Sequence, residues 1–389
     1  KVTNMDDYKQ YSDGFRSEDA EPKKKNEEVD MDFMVDVPDI PMPPEEDEVA
    51  NLIEDEFDAA FNFAIVGVGQ GGSRLAETFY NLGYRRVCVI NTAPQDLASI
   101  KMPDSNKLLI GGKGAGKDPS KAEAIFRERR EDIHDFLKNN FGGNYDRVLV
   151  CVGTGGGTGA GGATVVVEVA HDLSESLGVE KRGEPSRVGA VLALPTNAEG
   201  ARVAKNSKDT LDKIIDLKKM GALTPLIILD NEKIRQMYPN LSVGKFWGHS
   251  NISICSLFHL FNRISSQDSE YTSFDKADLD TVLSSGIITF GATPLRSWNQ
   301  PTDISHAIRD NLRKNILASV SPESGDVAAC IVIGNEEILN EISQESLEYG
   351  FEQLTRILGK ESMVHRGIYK GNKPNLVVYT AIGGLANPQ

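Results

Sequence analysis

The run Gly155-Gly156-Gly157-Thr158-Gly159-Ala160-Gly161 follows the apolar stretch Val148–Val152 and leads into another, Val165–Val169. Clustered glycines let backbone N–H groups approach phosphate oxygens, and a following helix adds its unpaired N–H groups and positive dipole end. Thr158 contributes a hydroxyl. Two more turns of this kind, Gly67-Val68-Gly69-Gln70-Gly71-Gly72 and Gly111 through Pro119, also follow apolar runs and precede helix-like segments. Three such loops at one edge of a sheet would enclose a polyphosphate from several sides. The first loop alone has the spacing used by dinucleotide-dependent oxidoreductases, which place an acid about 20 residues on to hold the ribose. Here the second apolar run ends in Asn91-Thr92 instead, and no Gly-x-x-x-x-Gly-Lys-Ser/Thr loop occurs. An oxidoreductase would therefore explain one loop and leave two without a purpose.

The loops need a scaffold. Apolar runs at 63–68, 86–91, 107–110, 146–152, 187–194 and 225–229 read as strands of a parallel sheet, separated by helical stretches at 73–82, 119–139, 162–177, 200–219 and 231–237. A helix expected over 244–264 carries apolar residues on more than one face, as a helix buried between two domains would. Beyond it come helix 276–285, strand 286–291, helix 303–319, strand 327–333, helix 336–356 and strand 373–381. The expected fold is α/β, with a nucleotide-binding domain over 61–243, the central helix over 244–264 and a smaller α+β domain over 265–389.

The net charge of -15 is concentrated at the start, where residues 1–60 hold 20 acidic and 6 basic residues, so the remaining body is almost neutral. That composition, with Pro38-Asp39-Ile40-Pro41-Met42-Pro43-Pro44 inside it, predicts an unfolded arm, which is either a tether for a partner such as an adaptor protein or a solvated leader without one. As a tether it would bind through Met34–Pro38 or through the Ile53–Phe61 stretch, the latter as an amphipathic helix docked on the body. Cys88, Cys151, Cys255 and Cys330 sit in apolar runs and fit a reducing compartment, hence the cytoplasm. The 6 histidines lack metal-site spacing, so no bound metal ion is expected from protein ligands. No signal peptide or apolar span of about 20 residues is present, which predicts no membrane insertion.

Taken together, the loops resemble the tubulin and FtsZ superfamily of polymerising GTPases. The resemblance rests on Gly155–Gly161, on Gly67–Gly72, on Asn91-Thr92-Ala93-Pro94-Gln95-Asp96-Leu97 and on 111–119, in that order. It continues through Leu194-Pro195, Glu199-Gly200, Asn231-Glu232-Lys233-Ile234 and Asp275-Lys276-Ala277-Asp278-Leu279. It implies GTP or GDP with Mg²⁺, held by Gly69, Gln70, Gly71, Asn91, Gly114, Ala115, Gly116, Gly155, Gly156, Gly157, Thr158 and Gly159. By the same resemblance Glu199 meets the ribose, Asn231 the sugar or base, Trp247 stacks near the base and Asn251 reads the guanine edge.

Asp275 and Asp278 are implied to act in trans, entering the pocket of the next subunit to orient the water that attacks the γ-phosphate. The resemblance thus implies head-to-tail filaments, with no direct nucleic-acid binding, in a role such as positioning plasmid or phage DNA or cell division. A non-hydrolysing filament protein is the alternative. Three positions depart from the family pattern: Arg202 stands three residues after Glu199 rather than four, Ser273 replaces a common Asn, and Lys276 replaces an apolar residue. The last two bear on hydrolysis rate. The expected arm at the N-terminus, and a sequence that stops at Gln389 soon after the last strand, set this chain apart from microtubule and division proteins as the resemblance describes them.

Overall fold

The computed structural model describes residues 58–359 and 361–388. The acidic arm therefore lies outside the described residues except for its last three positions, of which Asp58 and Ala60 are anchored. Asp58 accepts hydrogen bonds from Ser266 Oγ (2.7 Å) and Gln267 Nε2 (3.3 Å), and the Ala60 N–H donates to Asn262 O (2.9 Å). The packed body begins no later than Asp58.

The first half alternates strand and helix: β1 (Phe63–Val68), α1 (Gly69–Asn81), β2 (Val87–Asn91), α2 (Pro94–Ala98), β3 (Lys107–Leu109), α3 (Pro119–Glu128), α4 (Arg130–Phe141), β4 (Arg147–Gly153), α5 (Gly157–Ser176), β5 (Val188–Leu194), α6 (Ala201–Lys219), β6 (Leu226–Asp230) and α7 (Asn231–Met237). The long helix α8 (Val243–Ile264) follows. The second half comprises α9 (Lys276–Leu283), β7 (Ile287–Leu295), α10 (Asp303–Arg313), β8 (Val327–Gly334), α11 (Glu336–Glu341), α12 (Gln344–Leu358), β9 (Met363–Lys370) and β10 (Leu376–Leu385).

All strands join one sheet in the order β3-β2-β1-β4-β5-β6-β7-β10-β8-β9. Only β10 runs against the others, paired antiparallel with β7 and β8. Every residue of β1 and β2 is buried, as expected of strands covered on both faces. One face packs Phe126, Leu137, Val166, Ile308 and Phe351 from α3, α4, α5, α10 and α12. The other packs Leu75 and Phe79 from α1 against α8.

The two halves of the sheet meet at a single register pair, Leu226↔Ile287. Above it β7 diverges from β6, and residues 316–318 fill the gap: Asp230 N–H donates to Ile316 O (3.0 Å) and Ala318 N–H to Ile228 O (2.8 Å). That pairing ends α10 at Arg313, well short of the helix expected to reach 319, because β6 demands partners there. The second half extends the same sheet rather than building its own.

Helix α8 ties the halves together. Its Phe258 ring lies 5.0 Å from Phe63 on β1, 5.7 Å from Phe79 on α1 and 6.4 Å from Phe290 on β7. Among the described residues no helix is long and apolar enough to cross a membrane.

Candidate functional site

After β1 the chain crosses to β2 and β3 on one side, and β4 returns on the other, so the sheet's topological switch point lies between β1 and β4. In open α/β sheets that crevice, at the carboxyl ends of the strands, is where ligands bind. The loops after β1 and β4 open into it and touch backbone to backbone. Gly69 has φ +72°, and a Cβ there would stand 2.8 Å from Gly159 N. A Cβ at Gly157 would stand 2.8 Å from both Ala115 Cβ and Asp118 N, so the third loop closes onto the start of α5.

The helix starts in this crevice are chemically bare. Neither α1 nor α5 has a side-chain cap or an acidic residue in its first turn. By contrast Asp118, Asp230, Asp275, Asn335 and Ser343 cap α3, α7, α9, α11 and α12 with side-chain oxygens. Two adjacent N-termini whose first-turn N–H groups have no side-chain acceptor, in a glycine-lined crevice, suit a polyanion.

Polar side chains hold the loops in shape. Thr158 Oγ1 lies 2.7 Å from Thr92 Oγ1, and Gly114 N–H donates to Thr92 O (2.8 Å). Asn91 is buried, and its Oδ1 accepts from the N–H groups of Thr92 (2.8 Å) and Ala93 (3.2 Å). Its place in the structure is therefore as a shaper of the second loop. Asn206 on α6, which the sequence reading passed over, donates to both Gly155 O (3.2 Å) and Lys117 O (3.1 Å). It clips two glycine loops together. Gln70, Gly156 and Gly116 are exposed.

At the neighbouring strand ends, Glu199 is exposed, and its Oε1 accepts from Thr196 N–H (2.9 Å) in a reciprocal capping turn. Asn231 opens α7, is buried, and its Oδ1 has no protein partner. A buried amide oxygen without a partner suits a ligand donor. Asn251 is buried on α8 and Trp247 is 36% exposed beside Phe246. Cys255 Sγ lies 3.9 Å from Leu75 O, and α8 and α1 descend together from this edge. One helical turn back on each helix puts Asn251 level with Gly71. Arg202 points to solvent, and the position four residues after Glu199 is Val203, buried beneath Gly155.

Asp275 and Asp278 sit at the other edge of the sheet. Helix α9 is pinned to the amino ends of β4 and β5 by Asp280, which accepts from Arg147 Nη2 and Arg187 Nη1, each at 2.7 Å. Lys276 Nζ lies 3.8 Å from Asp146 Oδ2 and 4.7 Å over the Phe61 ring, at the foot of β1. Asp275 caps the helix by accepting from Asp278 N–H (2.9 Å), and Asp278 Oδ2 accepts from Asp275 N–H (3.0 Å). The acids and the glycine crevice thus occupy opposite ends of one subunit, with strands and α8 between them.

Residues 62–239 match the Tubulin/FtsZ family, GTPase domain. The chain carries a tubulin/FtsZ-family GTPase domain. Among curated relatives, cell division protein FtsZ 2 of Haloferax volcanii is 30% identical over 229 residues, covering 57% of this chain and 51% of that protein. Cell division protein FtsZ 1 of Pyrococcus woesei is 30% identical over 186 residues, 46% of this chain and 44% of that protein. The chain thus matches about half the length of these relatives. Among solved structures, a GTPγS-form protofilament of TubZ from Bacillus thuringiensis serovar israelensis superposes with a TM-score of 0.73 at 18% identity, covering 85% of this chain and 89% of that one. A GTPγS-bound protofilament of CetZ2 from Haloferax volcanii superposes with a TM-score of 0.68 at 20% identity, covering 84% and 94%. The tubulin/FtsZ fold therefore extends across the second half, beyond the matched GTPase domain.

Proposed function

We propose that this tubulin/FtsZ-family protein binds GTP in the crevice between β1 and β4, stacks head to tail into polar filaments, and hydrolyses GTP where two subunits meet. The observation that carries the reading is the opposition of the bare α1 and α5 N-termini at one end to Asp275 and Asp278 at the other. In a head-to-tail stack those two ends meet, and such a heterologous contact propagates into a filament.

The division of labour follows from the residues. The first-turn N–H groups of α1 and α5, with Thr158, hold the β- and γ-phosphates and meet charge as it develops on the phosphoryl oxygens. Glu199 and Asn231 take the sugar, and Trp247 and Asn251 the base. The neighbour's Asp278, with Asp275 shaping its turn, accepts a hydrogen bond from the attacking water and aligns it in line with the scissile bond. Among the described residues no group of three or more His, Cys, Asp or Glu could hold a metal ion. Mg²⁺ would therefore enter with the nucleotide, and the positive charge it would supply at the phosphates would add to that of the α1 and α5 N-termini.

The domain division at 61–243, 244–264 and 265–389 is retained as the functional partition, with α8 linking the nucleotide end to the catalytic loop. The remaining assignments are a cytoplasmic filament that moves or positions DNA or divides cells, without itself binding nucleic acid, and an acidic arm that recruits an adaptor. A non-hydrolysing filament is the second reading, favoured by one observation: both acids already serve as reciprocal caps of α9. Phosphate release and light scattering measured together against protein concentration, with GTP or ATP, test the proposal. It expects both signals to rise together above a threshold concentration with GTP. Scattering without phosphate release would favour the non-hydrolysing reading, and turnover per molecule that is constant on dilution would overturn the shared site.

A further inference from the structure

We infer that His365 is a positioning residue for the Asp278 carboxylate; the inference rests on the proposed role of Asp278 in the neighbour's pocket. His365 is on β9, the strand at the edge of the sheet, and its Nδ1 lies 2.7 Å from Asp278 Oδ1. Its side chain is 15% exposed, and its Nε2 is buried without a partner. An apolar side chain would fill this strand position without stranding a ring nitrogen. Its ring packs edge-on against Phe274, with centroids 6.3 Å apart, and Nδ1 makes its polar contact.

With its proton on Nδ1, the imidazole donates to Asp278 Oδ1 while Asp275 N–H donates to Oδ2. Both oxygens are then fixed and the carboxylate cannot rotate, yet each keeps a lone pair for water. The same strand braces the rest of the loop. Ile368 N–H donates to Thr272 O (2.8 Å), and Tyr369 Oη both accepts from Phe274 N–H (2.7 Å) and donates to Phe274 O (3.1 Å). His365 is the one residue of β9 that reaches the acid itself among these contacts.

The test uses the full chain. His365→Ala, His365→Val and His365→Asn are compared with the parent and with Asp278→Ala for turnover per assembled subunit, critical concentration, and the GTP:GDP ratio in sedimented filaments. Asn places an amide N–H where Nδ1 stands. Ala and Val are expected to lose about tenfold or more in turnover and to enrich filaments in GTP, with critical concentration within about twofold of the parent, and Asn to recover most of the turnover. Adding His365→Ala to Asp278→Ala is expected to cost nothing further. The inference is overturned if Ala turns over at the parental rate, if Asn is as slow as Ala, or if critical concentration rises in step with the loss. An inactive Asp278→Ala beside a normal His365→Ala overturns the His365 inference alone. A normal Asp278→Ala overturns the role of Asp278 and this inference with it.

Discussion

Removal of the Asp280 carboxylate is expected to be among the most destabilising single changes in this protein, although the residue lies at the surface of α9. Arg147 is 1% exposed, and Asp280 Oδ1 and Ser284 Oγ, at 2.7 and 2.9 Å, are the polar partners of its Nη2. Its Nε and Nη1 are buried without partners, and burial, aided by the Arg187 charge, pushes the guanidinium below its usual range despite Asp280. Burial would raise the Asp280 carboxyl, but Arg147 and Arg187 outweigh it and hold the group below its ordinary value. Asp280→Ala leaves a buried cation uncompensated, a change that costs about 3–5 kcal/mol in comparable sites. The side chain of Asp280 is 36% exposed, so water can enter, and about 3 kcal/mol is the better figure. With a urea m-value of about 3 kcal/mol/M, the unfolding midpoint should fall by about 1 M. Replacing both charges, Arg147→Met with Asp280→Leu, should restore most of the loss, because apolar packing of similar volume substitutes for a buried pair at little cost. A loss under about 1 kcal/mol in Asp280→Ala, or a double variant no better than the single, would refute the reasoning.

His259 is buried on α8 with Nδ1 3.1 Å from Tyr84 Oη, and burial, aided by Arg263, lowers its pKa to about 4. The unfolded chain then binds the proton first, so stability is full above about pH 6.5 and falls as pH drops toward 4, by about 2 kcal/mol at pH 5. Urea midpoints at pH 7 and pH 5 should show this drop in the parent and less of it in His259→Gln; equal drops in the two would contradict it. At Gly72 a Cβ would stand 2.1 Å from Cys151 O, so Gly72→Ala should cost about 1–3 kcal/mol of stability together with nucleotide affinity. Gly156 has φ −81° and open space around it, so Gly156→Glu should fold normally yet fill the α5 N-terminus with its own carboxylate. Calorimetry should find GTP affinity down by about a hundredfold or more with an unchanged unfolding midpoint; unaltered affinity would remove α5 from the phosphate site.

The glycine loops and the parallel half were legible because their signals are local: apolar runs buried on both faces, ended by glycines whose neighbours approach too closely for a Cβ. The central helix was legible for the same reason, and expected and observed limits differ by one residue at its start. What escaped was set by partners distant in sequence. Strand β9 was not foreseen, since as an edge strand it carries His365, Arg366 and Lys370 in place of an apolar run. The expected helix over 119–139 is two helices that meet at Arg129, and that over 336–356 is also two, broken at Ile342, whose backbone is extended before Ser343 caps α12. In the site, Asn206 and His365 carried no motif. Each matters only because the fold brings it to Gly155 or to Asp278.

The most direct test of a site shared by two molecules is complementation between two defective chains. Gly156→Glu keeps the acids and loses the phosphate site, while Asp278→Ala keeps the phosphate site and loses the acid. Alone, each should release little phosphate from GTP. Mixed above the threshold for assembly, they should recover a substantial part of the parental turnover at contacts where an intact crevice faces an intact acid. A mixture as inactive as its parts, although co-sedimenting as mixed filaments, would contradict a reaction divided between neighbours.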